Sequence, residues 1–253
     1  SSINFNANTS LFTSTLSGAA SATEFSNFKI YDLSQLGNDL AIGFTSSVTA
    51  TLSLINGTNN QFSFSGIEFY GFNNVNSTSG LLNTITGSDQ ADSFSAISGN
   101  ELTANGIAFN DIATVNAGLG DDDIEHGLAV WAIQAANNAT TVESINFTGI
   151  DTINKNNSIG ITNRNLNGTT GQDLLNIVGT NTINANGITY YGIGTVDALG
   201  NSEADLDMVS GSTTWDLLAN GFKAFGISFT SVETANSGVA GILNGTTAAD
   251  KFV

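Results

Sequence analysis

The chain repeats itself, and this constrains the fold more than any other feature. Five ten-residue segments read GIEFYGFNNV, GIAFNDIATV, SINFTGIDTI, GITYYGIGTV and GISFTSVETA. In each segment an aromatic residue is followed by apolar residues three and six positions later. The spacing is about 40 residues, which indicates a repeat architecture. The aromatic residues are Phe69, Phe109, Phe147, Tyr190 and Phe229, and Phe25 occupies the same place in a weaker copy.

A second motif occurs in every other repeat. It reads ITGSDQADSF from Ile85, LNGTTGQDLL from Leu166 and LNGTTAADKFV from Leu243, and the alternate places hold AGLGDDDIE and ALGNSEADLD. The repeating unit is therefore about 80 residues long and consists of two halves of about 40 residues. We predict a single repetitive domain over residues 1–253, with degenerate repeats in 1–84, clearer units in 85–165 and 166–243, and a partial repeat in 244–253.

The residue types in these segments predict an all-β fold. β-branched and aromatic residues are frequent, turn residues flank them, and Gly, Asn and Thr are too dense for long helices. A β-propeller needs four strands per blade and a closed ring, which about six copies could just supply. We favour a β-solenoid similar to a parallel β-helix, because the repeat length drifts and Asn and Gly recur, as in NANG at residues 184–187. Each half-repeat is then expected to form two coils of roughly 20 residues, with the aromatic residues inside.

The charge balance excludes several partners. The 22 acidic residues face 5 basic ones, for a net charge of −17. Nucleic acids and anionic membranes both require clustered Lys and Arg, so neither is expected as a partner, and no apolar stretch is long enough for membrane insertion. The absence of Cys excludes disulfides and Cys-ligated zinc. The acidic balance permits the binding of cations.

The segment AGLGDDDIEHG, residues 117–127, raises the question of a metal site. It fits the nonapeptide G-G-x-G-x-D-x-U-x, in which Asp carboxylates and backbone carbonyls bind calcium. The alternative is a solvated acidic turn that keeps sheet edges apart by repulsion. Tandem copies, which a calcium β-roll needs, are missing, and His126 lacks the partners of a zinc site. The candidate calcium ligands are Asp92, Asp121, Asp122, Asp123, Asp173, Asp205, Asp207 and Asp250.

The alternation of the LNGT-type and GIxF-type segments resembles the β-strand repeats of very large bacterial exported proteins. These include haemagglutinin-like adhesins, repeat-in-toxin surface proteins, and some surface-layer and matrix proteins. The resemblance runs from about Ser21 to the end of the chain. It implies an extracellular or cell-surface location and a role in a stalk, fibre or surface coat, with calcium or surface glycans as further partners.

The two ends of the sequence suggest self-association. The segment GTTAADKFV, residues 245–253, stops in the middle of a repeat. When SSINFNANTSLF is written after Val253, the joined sequence continues that repeat, and Phe12 takes the place of Phe109 and Tyr190. Either the chain was cut from a longer array, or chains join head to tail into a filament. The residues of this hypothesis are Asn8, Phe12, Phe252 and Val253.

Catalysis is not expected. The carboxylates that a glycosidase would need lie in turns that recur with the repeat, whereas catalytic residues are normally unique. The alternative function is a carbohydrate-binding or carbohydrate-cleaving β-helix. Trp131 and Trp215, exposed beside carboxylates, would favour it, and burial of both would count against it.

Overall fold

The structure is a computed structural model, and it describes part of the chain. Backbone and side chains are described for 51–55, 61–64, 66–75, 83–126, 130–134, 138–154, 164–199, 207–212, 214–238 and 240–246. The backbone alone is described for 2–6, 11–15, 23–25, 30–32, 41–45 and 76–77. Every regular element in these residues is a β-strand, so the prediction of an all-β fold is confirmed.

The first half of the described strands lies before residue 125. They are β1 (Ser2–Asn6), β2 (Leu11–Thr15), β3 (Thr23–Phe25), β4 (Ile30–Asp32), β5 (Ala41–Thr45), β6 (Thr51–Leu54), β7 (Gln61–Phe64), β8 (Ile67–Tyr70), β9 (Asn74–Ser77), β10 (Asn83–Thr86), β11 (Ser93–Ser98), β12 (Glu101–Ala104), β13 (Ile107–Phe109), β14 (Ile112–Asn116) and β15 (Asp123–Ile124).

The remaining strands lie after residue 125. They are β16 (Val130–Ala132), β17 (Ala139–Val142), β18 (Ile145–Thr148), β19 (Thr152–Ile153), β20 (Arg164–Asn167), β21 (Leu174–Gly179), β22 (Thr182–Ala185), β23 (Ile188–Tyr191), β24 (Ile193–Asp197), β25 (Met208–Ser210), β26 (Thr214–Leu218), β27 (Gly221–Ala224), β28 (Ile227–Thr230), β29 (Thr234–Asn236) and β30 (Ile242–Asn244).

Parallel pairing follows one rule: the two partners lie four places apart in strand order. The rule connects β6, β10, β14 and β18 into one ladder, and β16, β20, β24 and β28 into another. Stacked parallel strands of this kind form a β-solenoid, as predicted. The expected coil length is wrong, however. Residues in contact on successive coils are 30 positions apart at Asp92 and Asp122, and 34 at Asp173 and Asp207, rather than about 20.

The coils are interrupted by antiparallel meanders of three strands. They comprise β1–β3, β6–β8, β11–β13, β21–β23 and β26–β28. Their first strands lie five strands apart, or ten between β11 and β21, because β16 belongs to a different sheet from β17 and β18. This spacing accounts for the 40-residue period seen in the sequence. Residues 184–187 lie in a hairpin of this kind: Asn186 and Gly187 have φ of 48° and 85°, as a type I′ turn requires.

Contacts divide the chain into two units. Unit 1 comprises Ser1–Ile124 with Thr141–Gly149, and unit 2 comprises Glu125–Thr140 with Ile150–Val253. In unit 1 one sheet has the order β15-β11-β12-β13-β9-β5-β1-β2-β3, and the other has β18-β14-β10-β6-β7-β8-β4. The rings of Phe62 and Phe109, one from each sheet, have centroids 6.0 Å apart. The core of unit 1 therefore lies between its two sheets.

Unit 2 repeats this arrangement. One set of strands has the order β29-β25-β21-β22-β23-β19, and the other has β16-β20-β24-β28-β27-β26-β30. Phe222 stacks on Phe229 at 5.2 Å, as Phe62 stacks on Phe69 at 4.8 Å in unit 1. In both meanders, one ring of the pair lies on the middle strand and the other on the last strand. The two units therefore build this part of the core in the same way.

The recurrent aromatic residues of the five clear repeats lie on β8, β13, β18, β23 and β28 and are buried, as the repeat predicted. All five residues of the first motif, from Phe69 to Phe229, belong to the core. The residue two positions later always has a positive φ, which turns the chain away from the meander after its last strand. Glycine fills most of these turns because it reaches this conformation without steric cost. The residues are Gly71, Asp111, Gly149, Gly192 and Ser231.

Candidate functional site

The acidic motif residues of unit 1 form a ladder between coils. Asp92 immediately precedes β11, Asp122 stands one position before β15, and both side chains are buried. The backbone N–H of Asp92 donates to Oδ1 of Asp122 at 2.8 Å. In return, the N–H of Asp123 donates to the carbonyl of Asp92 at 3.0 Å. The Asp122 carboxylate thus joins one coil to the next where a strand begins.

Unit 2 contains the same ladder with one further rung. The N–H of Asp173 donates to Oδ1 of Asp207 at 2.6 Å, and the N–H of Asp207 donates to Oε2 of Glu233 at 2.9 Å. The N–H of Met208 returns to the carbonyl of Asp173 at 3.0 Å. Asp207 therefore corresponds to Asp122, and Glu233 continues the ladder into the last coil.

Two of these carboxylates also close their own turns. The N–H of Ser88 donates to Oδ2 of Asp92 at 2.7 Å, and the N–H of Thr169 donates to Oδ2 of Asp173 at 2.7 Å. Asn105 Nδ2 donates to the other oxygen of Asp92 at 2.5 Å. Burial of a polar group is tolerated when it is hydrogen-bonded, and these donors meet that requirement for the two carboxylates.

The glycine that starts the second motif is explained by the same contact. A Cβ at Gly87 would lie 1.7 Å from the carbonyl oxygen of Ala117, and one at Gly168 would lie 2.6 Å from that of Ala198. The same two atoms would also crowd the carboxylates of the Asp residues five positions later. The repeated Gly and Asp are therefore a pair: the glycine lets the next coil approach, and the carboxylate fixes the turn.

The predicted calcium ligands divide into three groups. Asp92, Asp122, Asp173 and Asp207 are buried. Asp121 is exposed and Asp123 half-buried, and Asp205 and Asp250 lie outside the described residues. No three His, Cys, Asp or Glu side chains within the described ranges are placed to hold a metal ion. The carboxylates of Asp92 and Asp173 accept backbone N–H groups from their own turns.

Neither tryptophan is available to stack on a sugar. Trp131 is 2% exposed and Trp215 is 4% exposed. The ring of His126 meets Trp131 edge-on with centroids 6.3 Å apart, and the backbone N–H of His126 donates to Oδ1 of Asn154 at 2.8 Å. The burial of both tryptophans counts against the carbohydrate alternative.

Two ionisable groups are perturbed by burial in unit 2. Burial lowers the pKa of Arg164, and the charge of Glu125 acts in the opposite direction. Burial raises the pKa of Tyr190, the aromatic residue of the fourth GIxF-type segment, above its ordinary value. A raised Tyr pKa keeps the phenol neutral, as a residue of the core must be.

A recurrent asparagine clamp was not predicted from the sequence. Asn100, Asn138 and Asn181 each precede an aromatic motif residue by nine positions. Each donates through Nδ2 to the carbonyl of the residue twelve positions later, at 2.8, 2.9 and 2.8 Å. That residue returns its N–H to the Asn carbonyl in all three places. The signal in the sequence is the constant nine-residue interval between Asn and the aromatic residue.

Inward positions are exposed on the last described coil of unit 2. Leu243 on β30 is 51% exposed, whereas Ile85 and Leu166 at the same place on β10 and β20 are both 0% exposed. Phe222 is only half-buried, although Phe62 at the same place in its meander is buried. A groove of about 360 Å³ opens here, lined by Trp215, Leu217, Phe222, Glu233, Ile242 and Leu243.

The predicted self-assembly residues are only partly described. Asn8, Phe252 and Val253 lie outside the described residues. Phe12 lies on β2 and is in register with Phe5 on one side and Phe25 on the other. Phe12 therefore lies on the middle strand of its meander, as Phe62 does. The sequence comparison had instead aligned Phe12 with Phe109, which lies on the last strand of a meander. By register, Phe25 occupies that position.

No protein-family model, curated protein or solved structure matches the chain. In the described residues no helix is long and apolar enough to cross a membrane. The class of the protein therefore rests on its own geometry, which is that of a β-solenoid.

Proposed function

We propose that this chain is a structural element of a bacterial extracellular assembly, such as an adhesin stalk, a surface layer or a matrix fibre. In this role it binds other copies of itself and catalyses no reaction. Its mechanism is passive: backbone ladders join the coils, and apolar side chains fill the space between the sheets. The resemblance to repeats of exported bacterial proteins supports the extracellular location.

The proposal is carried by the structural role of the recurrent aromatic and acidic residues. The aromatic residues are buried between sheets, and the carboxylates of Asp122 and Asp207 accept backbone N–H groups from the neighbouring coil. In an enzyme, by contrast, some polar residues would be spared from such contacts and gathered in a cleft. Residues that recur and are used for stacking are typical of a structural solenoid.

The outer faces support the same role. Thr84 and Thr86 on β10 lie in register with Thr51 and Ser53 on β6, and Thr148 on β18 donates to Oδ1 of Asn116 at 3.0 Å. Such rows of short uncharged side chains can hydrogen-bond to one another and to water. Calcium and surface glycans remain secondary proposals.

The test combines association with turnover. The purified chain, of 26.0 kDa, is passed through size exclusion with light scattering over a wide concentration range, and is incubated with a panel of neutral and acidic polysaccharides. A structural element gives a mass that rises with concentration and releases no reducing ends or unsaturated products. A constant monomer mass together with polysaccharide cleavage would replace the proposal with the carbohydrate alternative.

A further inference from the structure

We infer that chains join head to tail, with strands β3 and β4 of one copy adding to strands β29 and β30 of another in parallel register. This inference rests on the proposed self-association and specifies its junction. It is carried by the pairing rule, by the exposure of the last coil, and by the agreement between the two ends.

The pairing rule assigns a role to each place in the five-strand repeat. The last strand of a meander pairs with the strand four places earlier, as β13 does with β9 and β23 does with β19. The strand that follows a meander pairs four places back and four places forward, as β14 does with β10 and β18. Each place in the repeat therefore has a defined partner.

Four edges are left open by this rule among the described strands. At the C-terminal side, β29 and β30 have their earlier partners, β25 and β26, but no later ones. At the N-terminal side, β3 ends a meander without the earlier strand that β13 and β23 have, and β4 pairs only with β8. By the internal pairings, the strand that would pair with the open edge of β29 is the last strand of a meander. The strand that would pair with the open edge of β30 is the one directly after a meander. In the first repeat these two strands are β3 and β4.

The exposed side chains lie where such partners would cover them. Ala235 on β29 is exposed, whereas Val75 on β9 and Ile153 on β19 are buried beneath the last strand of the next meander. Leu243 on β30 is exposed, whereas Ile85 on β10 is buried against Val115 of β14. The groove beside Leu243 is therefore the vacant place of one further coil, since the same positions are filled wherever a coil follows.

The register of the junction follows from the internal copies. Val75 faces Phe109, and Phe25 holds the place of Phe109 in its own meander, so Ala235 is assigned to Phe25. Ile85 faces Val115, six positions beyond the aromatic residue, so Leu243 is assigned to Tyr31. Main-chain hydrogen bonds supply affinity in this kind of strand addition, and the pockets for alternate side chains supply specificity.

The symmetry of the junction determines which kind of assembly the chains can form. The surface on β29 and β30 differs from the surface on β3 and β4, so the contact is heterologous. A heterologous contact forms a ring if its rotation closes and an open filament if it does not. Because the chain carries a net charge of −17, association is expected to strengthen as added salt screens repulsion between copies.

Cysteine cross-linking tests the register directly, since the chain contains no Cys. Glu24→Cys on β3 and Thr234→Cys on β29 are prepared as separate proteins, one with a longer tag, then mixed and oxidised. The register places these two residues opposite each other, with Cα atoms about 4.8 Å apart, within the range of a disulfide. The expected product is a mixed dimer of one long-tagged and one short-tagged chain.

The matched control moves one cysteine by a single strand. Thr13 on β2 lies opposite Glu24, so Thr13→Cys is displaced from Thr234→Cys by a second strand spacing, roughly 10 Å in all. We expect at least tenfold slower cross-linking for this pair. Equal rates for the two pairs, or cross-links only between identical chains, would overturn the assigned register.

A surface variant separates the junction from self-association in general. Leu243→Asp places a charge in the vacant coil position, and Val178→Asp changes a strand residue that is similarly exposed, at 53%, on β21. We expect Leu243→Asp to leave the unfolding midpoint unchanged and to abolish association, and Val178→Asp to associate like the parent. Association that survives Leu243→Asp contradicts the junction alone. A parent chain that never associates contradicts the proposed function as well.

Discussion

The backbone N–H of Asp92 donates to the carboxylate of Asp122 on the following coil at 2.8 Å, and Asp173 and Asp207 repeat the contact at 2.6 Å. The acidic residue that first suggested a metal site therefore acts as a side-chain extension of the backbone ladder. Its place just before a strand explains the contact: the turn has no β-partner of its own, and the carboxylate supplies the acceptor that the missing pair would provide.

Replacement of Asp122 by Ala should destabilise the fold. The change leaves the buried N–H of Asp92 without this acceptor, at a cost of about 2 kcal/mol in the free energy of unfolding. Urea denaturation in EDTA measures the effect. The exposed neighbour Asp121 serves as the control, since Asp121→Ala should change stability by no more than about 0.5 kcal/mol. Equal effects of the two substitutions would contradict the ladder.

Gly87→Ala should be more damaging than most single substitutions. The new Cβ would meet the Ala117 carbonyl at 1.7 Å, and the coils must separate to admit it, at a cost of about 3 kcal/mol or more. Gly171→Ala is the matched control from the equivalent turn in unit 2, because a Cβ there meets only Thr169 Oγ1 at 3.9 Å. The unfolding temperatures of both variants measure the difference. Equal unfolding temperatures for Gly87→Ala and Gly171→Ala would show that the coils are not in close contact.

The asparagine clamp predicts a graded response at position 181. Asn181 has a φ of 53° and donates to the carbonyl of Ile193 at 2.8 Å. Asn181→Gly keeps the backbone conformation and loses this hydrogen bond and a longer one to the Gly226 carbonyl at 3.4 Å, at about 1 kcal/mol in total. Asn181→Ala loses both bonds and adds backbone strain of about 1 kcal/mol more. Chemical denaturation that ranks Ala above Gly in stability would contradict the clamp.

The buried phenol of Tyr190 predicts a loss of stability in alkali. Because its pKa is raised in the folded state, the folded protein holds the proton more tightly than the unfolded chain does. The stabilisation is therefore fully present below pH 10, the ordinary Tyr pKa, and is lost as the pH rises further, towards the folded pKa. Tyr190→Phe should show a smaller loss of stability between pH 9 and 11 than the parent, and Tyr191→Phe, at a half-buried position, is the control. Identical pH profiles for all three proteins would contradict the assignment.

The sequence predicted those features that recur with a fixed period. The all-β solenoid and the buried places of Phe69, Phe109 and Tyr190 follow from patterns that a single chain displays. The coil length was wrong because alternation of apolar residues is the same in parallel and antiparallel strands. The Asn-Gly pairs at 105–106 and 186–187 carried the missing signal, since Asn-Gly between alternating apolar residues indicates a hairpin.

The acidic residues show a second limit of sequence reasoning. The spacing of Gly87 and Asp92 identifies a repeated turn, but a carboxylate that binds a cation and one that accepts N–H groups have the same spacing. In the structure, the Asp92 carboxylate accepts from the N–H of Ser88 and from Asn105, and its backbone N–H donates to Asp122 on the next coil. The register place of Phe12 is likewise set by its strand partners, Phe5 and Phe25, which its sequence similarity to other repeats does not reveal.

The most direct test of this account is electron microscopy of the purified 253-residue chain at physiological ionic strength, in EDTA and again in millimolar calcium. We predict filaments in both solutions and none with Leu243→Asp, since the junction is made by strands and the buried carboxylates already have backbone donors. Filaments that form only in calcium would make the acidic turns metal sites and contradict the structural role assigned to Asp92 and Asp122. Separate monomers in both solutions, at every concentration, would contradict self-assembly.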